Sequence, residues 1–282
     1  MIEISYKKIR AVLAPELGGT ILRFTVDGRD ILRPASSFVD VERDPREAAY
    51  YPCVPWFGRL AGGLDHGGQH YDLEPTLPAC DPHHALHGVG WINPWRVTAQ
   101  TDVMADCEFA YVPKPGGFPF GFLARQTFSL GDDGLSIRLS LTNTDSTAIP
   151  AGLGMHPFFP RTRETQLQFL ATRCWIPPGE NTRGREEAIS AALGFASPRA
   201  LPAETTDCSF IGWPGDASFR GSDGITSLES DAPILHLYAP QDQNFFCLEP
   251  ITHLPGEFGQ MILVPGETLS QRLIIASGDH AR

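Results

Sequence analysis

The sequence predicts an all-β fold, a large antiparallel β-sandwich formed by one continuous domain over residues 1–282. Three observations carry this expectation. The 28 glycines and 25 prolines are scattered along the whole chain and cut it into short segments, which favours many short strands over long helices. Several of those segments alternate apolar and polar residues with period two. No low-complexity linker, internal repeat or shift of composition divides the chain.

Residues 135–141 alternate cleanly. Leu135, Ile137, Leu139 and Leu141 are apolar, and Ser136, Arg138 and Ser140 between them are polar, the pattern of a half-buried strand. Residues 123–130 precede it across Gly131-Asp132-Asp133-Gly134, which signals a hairpin. Residues 234–238, 245–248 and 269–276 also read as strands, with Glu249 closing the second of them. Only 38–50 and 186–193 look helical, and only briefly. Large antiparallel sheets bury one face and leave the other for solvent or a ligand.

Hydrophobic residues at 42% and charged residues at 20% give an ordinary globular balance, and a chain this long buries a core without staples. The net charge of −11 argues against nucleic-acid and anionic-membrane partners, which require clustered lysines and arginines. It leaves a neutral ligand open, and a few local arginines can still hold a phosphate. The six cysteines, Cys53, Cys80, Cys107, Cys174, Cys208 and Cys247, contain no CxxC pair and are expected as unpaired buried thiols. The start Met1-Ile2-Glu3-Ile4 lacks the pattern of a signal peptide and no apolar stretch approaches a membrane span, so the expected compartment is the cytoplasm.

Four separated places hold residues suited to chemistry. Pro52-Cys53-Val54-Pro55-Trp56-Phe57-Gly58-Arg59 is a rigid, turning segment that ends on a guanidinium, a planar fork of donors. Asp81-Pro82-His83-His84-Ala85-Leu86-His87 packs three histidines into five residues. However, Pro82 and the following glycines oppose a helix, and no HExxH or Cys/His frame accompanies them, so no metal is expected. Gly152-Leu153-Gly154-Met155-His156-Pro157 sets a histidine among apolar neighbours, where burial and a nearby carboxylate would tune it in opposite directions. Glu249 at the end of an apolar strand is costly to bury without partners. Each of these also fits an ordinary structural role when taken alone.

Together the four places resemble the galactose mutarotase (aldose 1-epimerase) family, in the same order along nearly the full chain. Ala14-Pro15-Glu16-Leu17-Gly18-Gly19 resembles its opening strands, His87-Gly88 its His-Gly, and Asn93-Pro94-Trp95 its Pro-Trp. His156-Pro157 is similar to its central histidine, Asp207 to its Asp-x-x-Phe aspartate, and Glu249-Pro250 to its catalytic glutamate. Arg59 matches the arginine of an Asn-Arg motif, but Gly58 stands where the family has Asn.

The resemblance implies a supersandwich whose open face binds a sugar, with Arg59, His87, His156, Asp207 and Glu249 converging there. It implies an isomerase of carbohydrate and hexose metabolism that exchanges α and β anomers without cofactor or metal. Glu249 would be the base on the anomeric hydroxyl, His156 the acid toward the ring oxygen, and His87 a further polarising group. Asp207 and Arg59 would bind hydroxyls. Trp56, Trp91 and Phe158 are candidates to cover an apolar sugar face. Two alternatives stand beside this reading. One is a hexose-6-phosphate mutarotase, for which Arg23, Arg33, Arg125 and Arg161 are available. The other is a carbohydrate-binding module that has lost catalysis. The partner expected is a small-molecule sugar, and the chain is expected as a monomer or homodimer.

Overall fold

The short alternating segments pair into one 11-stranded and one nine-stranded sheet in the computed structural model, which describes residues 1–179, 183–221 and 224–278. Every pairing between its named strands is antiparallel.

The hairpin expected around 131–134 is the spine of the smaller sheet. Strands Phe122–Gly131 and Gly134–Asn143 pair without interruption from Phe122 opposite Asn143 to Gly131 opposite Gly134. Leu135, Ile137, Leu139 and Leu141 are fully buried, as the alternation requires. Thr268–Ser277 lies against the second strand and carries Gly224–Ser230 on its other edge.

Five strands form the middle of the larger sheet. They are neighbours in the order Tyr50–Cys53, Gly154–Pro160, Phe245–Ile251, Ile234–Ala239 and Thr206–Ile211. Their inward side chains, including Tyr50, Met155, Phe159, Phe246 and Leu235, share one hydrophobic core with the inward side chains of the smaller sheet. Phe159 meets Phe219 across the two sheets with ring centroids 5.0 Å apart and planes tilted 63°, the edge-on arrangement that aromatic quadrupoles favour. Buried amides cross the same gap. Tyr50 Oη donates to Gln126 Oε1 at 3.0 Å, Gln126 Nε2 donates to the Gly19 carbonyl at 3.0 Å, and Gln271 Nε2 donates to the Pro250 carbonyl at 2.7 Å. These bonds answer polar groups that burial would otherwise penalise.

Three local expectations change. Of 38–50 only Phe38–Arg43 is α-helical, capped where the Ser37 hydroxyl accepts from Asp40 N–H. Pro45 follows directly, opens a 3-10 turn over Pro45–Glu47, and Tyr50 is already in the sheet. In 186–193 the residues Arg185–Glu187 instead extend the sheet edge against Arg173–Ile176, leaving a single 3-10 turn at Ala191–Leu193. Ile189, just before this short turn, and Leu193 within it pack against the core without a helix. Glu249 does not close its strand, which continues through Pro250 to Ile251.

All six cysteines are free thiols, five of them buried and Cys80 partly so. Among the described residues no helix is long and apolar enough to cross a membrane.

Candidate functional site

Period-two alternation sends every second residue of the five central strands to the outer face, away from the core. The register then aligns the polar ones. Tyr51 pairs with His156. Gly154 opposite Ile251 and Phe158 opposite Cys247 set His156 across from Glu249. Glu249 pairs with His236, and His236 pairs with Ser209. Tyr51, His156, Glu249, His236 and Ser209 therefore form one transverse row, one residue from each strand. Asp207 lies on the same face as Ser209, two residues along.

The row is sunk in the sheet. Glu249 is 1% exposed, and His156 and His236 are 5% exposed each. His156 Nε2 lies 3.2 Å from Glu249 Oε2 without hydrogen-bond alignment, so neither oxygen of Glu249 has a hydrogen-bond partner among the described residues. The imidazole is clamped between the Tyr51 ring at 4.4 Å and the Phe158 ring at 4.7 Å, measured between centroids. Burial, with the Asp207 charge, pushes the Glu249 carboxyl well above its usual range. Burial, followed by the neighbouring His87 and His236, pulls His156 well below the usual histidine value.

Asp207 and His236 form the next pair. His236 Nε2 is 3.3 Å from Asp207 Oδ1, and His236 Nδ1 is 2.8 Å from Ser209 Oγ. A carboxylate only accepts, so the ring proton sits on Nε2 and the Ser209 hydroxyl donates to Nδ1. Burial alone would raise Asp207, but His236 foremost, then Arg59 and His87, hold it below the usual carboxylate range. Its side chain is half-exposed, which places it on the rim of the row.

Two loop residues face this floor. His87 sits at φ +54° and Gly88 at φ +70°, a left-handed pair that turns the chain sharply. A Cβ on Gly88 would come within 2.1 Å of the Val54 carbonyl oxygen, so only glycine allows the close approach. The Trp91 indole N–H donates to the Leu86 and Gly88 carbonyls and fixes the loop from beneath. The His87 ring lies 5.3 Å from that of His156, at right angles to it. Burial, then the charges of Arg59 and His236, lower His87 to about 3, so it is neutral near pH 7.

Arg59 lies on the short strand Arg59–Leu60, held by Ala85–Leu86. Its Nε donates to Asp81 Oδ2 at 2.6 Å. Asp81 also accepts the backbone N–H groups of His83 and His84, so the Asp81–His84 cluster serves to anchor an arginine.

The structure thus brings Arg59, His87, His156, Asp207 and Glu249 to one face of one sheet. Sequence reasoning missed His236, Tyr51 and Asp81. His236 had a legible signal, since it shares the outer face with Tyr238 in an otherwise apolar strand. The aromatic candidates turn out differently. Trp56 is 1% exposed and packs in the inter-sheet core against Phe118, Trp91 is fully buried, and Phe158 is spent on His156. Two further depressions take none of the row residues, one bounded by Trp56, Glu74, Tyr111 and Lys114 and one by Arg161, Arg163, Gln241 and Asn244.

The comparisons with known proteins agree with this geometry. The family model described as aldose 1-epimerase matches residues 1–276. The uncharacterized protein YphB of Escherichia coli strain K12 is 30% identical over 275 residues, covering 91% of each chain. A solved Escherichia coli K12 structure superposes with a TM-score of 0.86 at 27% identity and covers 98% of each chain. The GalM/aldose epimerase homologue of C. elegans shares the fold, with a TM-score of 0.82 at 18% identity over 100% of this chain and 99% of its own. A protein with this match along its length and this polar row on its open sheet belongs to the aldose 1-epimerase family.

Proposed function

We propose that the protein is a mutarotase that interconverts the α and β anomers of a free hexose on the row Tyr51–His156–Glu249–His236–Ser209. The observation that carries the reading is Glu249. A buried carboxyl group with both oxygens unpartnered is costly. Sugar hydroxyls are the partners it lacks.

Ring opening moves two protons. The anomeric hydroxyl loses one, the ring oxygen gains one, the bond between C1 and the ring oxygen breaks, and C1 becomes a carbonyl. His156 and Glu249 share one proton between them. In the charged arrangement Glu249 is the base on the anomeric hydroxyl and His156 the acid toward the ring oxygen. Once the ring is open both are neutral. Burial favours that neutral arrangement, raising Glu249 and lowering His156. Burial therefore favours the neutral, opened state over the charged pair, and the reverse transfers close the ring on either carbonyl face. Each positioned transfer contributes about 10²–10⁴-fold in rate. His87 polarises the ring oxygen as a neutral donor. Asp207 and Arg59 at the rim fix hydroxyls.

The phosphorylated-sugar alternative finds little support from its arginines. Arg23 is bound to Asp30, Arg125 to Glu108, and Arg161 to the carbonyls of Pro240 and Pro202, while Arg33 lies over the rings of Phe158 and Phe245.

Anomer exchange measured by NMR near neutral pH tests the reading, across free aldoses and hexose 6-phosphates. Wild type is expected to exceed the spontaneous rate and Glu249→Gln to lose the excess. Sugar binding without acceleration in wild type would instead identify a binding module.

A further inference from the structure

Cys247 belongs to none of the chemistry above. It is fully buried, two residues before Glu249 on the same strand and the same face. It stands opposite Phe158 in the register, beside His156. One nitrogen of His156, Sγ of Cys247 and one oxygen of Glu249 all lie within 4.8 Å of one another.

We propose that His156, Cys247 and Glu249 form a binding site for a thiophilic divalent cation, zinc in the first place, and that the bound cation blocks the sugar site.

The donor set, the spacing and the charge agree. Imidazole, thiolate and carboxylate together suit zinc, whereas magnesium and calcium take shells of oxygen. Tetrahedral bonds of about 2.0–2.3 Å place neighbouring donor atoms roughly 3.3–3.7 Å apart. His156 Nε2 and Glu249 Oε2 already stand 3.2 Å apart. The Cys247 sulfur needs at most about an ångström of approach toward each, a side-chain adjustment rather than a movement of strands. A thiolate and a carboxylate neutralise a doubly charged ion, so the buried complex carries no net charge. Both oxygens of the buried Glu249 carboxyl lack a hydrogen-bond partner among the described residues, and a bound cation would satisfy them as sugar hydroxyls would. Three protein ligands leave a fourth position for water. The Arg33 guanidinium lies 4.2 Å from the Phe158 centroid, and the same Phe158 ring stacks on His156.

Occupation consumes the proposed base and the proposed acid together, so the inhibitory half of the inference rests on the mutarotase reading. The binding half does not.

The experiment titrates the chelator-treated full chain with cobalt(II), a spectroscopic stand-in for zinc, and follows the thiolate-to-cobalt charge-transfer band. Wild type is expected to saturate at one cobalt per chain and to release it to zinc. Cys247→Ser is expected to lose the band and to bind zinc more weakly than wild type by at least the roughly tenfold to hundredfold that even an outer-shell change costs. Zinc is expected to stop anomer exchange in wild type and to spare Cys247→Ser, whose metal-free rate matches wild type. Cys247→Ala provides the same comparison should the serine variant fail to fold. No band in wild type, or an undiminished band in the Cys247 variants, overturns the site. A band that depends on Cys247 in a protein with no exchange on any sugar removes the mutarotase reading and leaves the cation site standing.

Discussion

The backbone N–H of Gly58 donates to Nδ1 of His87 at 3.2 Å. An acceptor nitrogen carries no proton, so the neutral ring holds its hydrogen on Nε2. With the ring lowered to about 3 by burial and then by Arg59, His87 is a fixed hydrogen-bond donor rather than a titrating acid. Nitrogen-15 NMR is expected to show a single neutral tautomer from about pH 5 to about pH 8, where an ordinary histidine changes charge. A titration inside that range would contradict the assignment.

Gly58 itself sits at φ +76°, and a Cβ there would meet Pro255 Cβ at 3.3 Å. Gly58→Ala is expected to cost about 1–2 kcal/mol through the left-handed backbone. Gly58→Asn is expected to cost less, since asparagine enters that region most readily after glycine. Urea unfolding of the two variants side by side checks the order.

His253 props the same turn from the other side, its Nε2 accepting the Phe57 N–H at 3.0 Å. Burial lowers it to about 4, against the small opposing effect of the Leu254 carbonyl. The unfolded chain therefore takes up a proton below about 6.5 that the folded chain refuses. The contribution is complete above that pH and is lost as pH falls toward 4, by as much as about 3 kcal/mol. Denaturant midpoints across this range are expected to fall less steeply in His253→Ala. That variant should also lose about 1–3 kcal/mol at neutral pH by stranding the Phe57 amide.

Glu249 has the opposite sign. Its folded value is raised by burial, so its contribution is fully present below the ordinary value of 4.5 and is lost as pH rises through the folded value. Glu249→Gln is expected to gain stability relative to wild type as pH rises above 4.5, by at most about 1.4 kcal/mol per pH unit. The same variant that loses activity should then be the more stable protein near neutrality. A stability difference independent of pH would show that the carboxyl is ionised throughout.

Asp81 ties Arg59 at the rim. Burial would raise the carboxyl, but Arg59 and the His83 N–H outweigh it and bring it down to about 2. The Arg59 side chain is 56% exposed, so solvent weakens the pair. Asp81→Asn is expected to raise KM for the sugar by a few fold, in keeping with the about 0.2–1 kcal/mol of an exposed pair, and to leave kcat nearly unchanged. A large fall in kcat would place Arg59 at the reacting atoms instead.

What the sequence made legible followed from local pattern. The strands on either side of Asp132-Asp133 could be read residue by residue, because alternation and turn chemistry act within one hairpin. The extent of the Glu249 strand could not. Pro250 looks like a terminator, yet its ring needs only a place without a ladder N–H, and its carbonyl is taken by Gln271 from the other sheet. The alignment of Tyr51, His156, Glu249, His236 and Ser209 depends on register between strands up to about two hundred residues apart, which no local pattern encodes. His236 shares its strand face with Tyr238, but its partners Ser209 and Asp207 come from another strand, which the local pattern does not show.

The transverse row has a consequence for how the site comes into being. Each of its five residues belongs to a different strand, and the two outermost in sequence, Tyr51 and Glu249, are joined only through cross-strand neighbours. The hairpin of Ile234–Ala239 and Phe245–Ile251 carries only His236 and Glu249, and His156, the proposed acid, comes from another strand. Fraying of one edge strand leaves the row intact, and parting of any central pair abolishes it. The protein therefore has no half-active intermediate. Amide exchange in these strands should proceed only through the same cooperative opening that ends activity, so that the site is born and lost with the sheet as a whole.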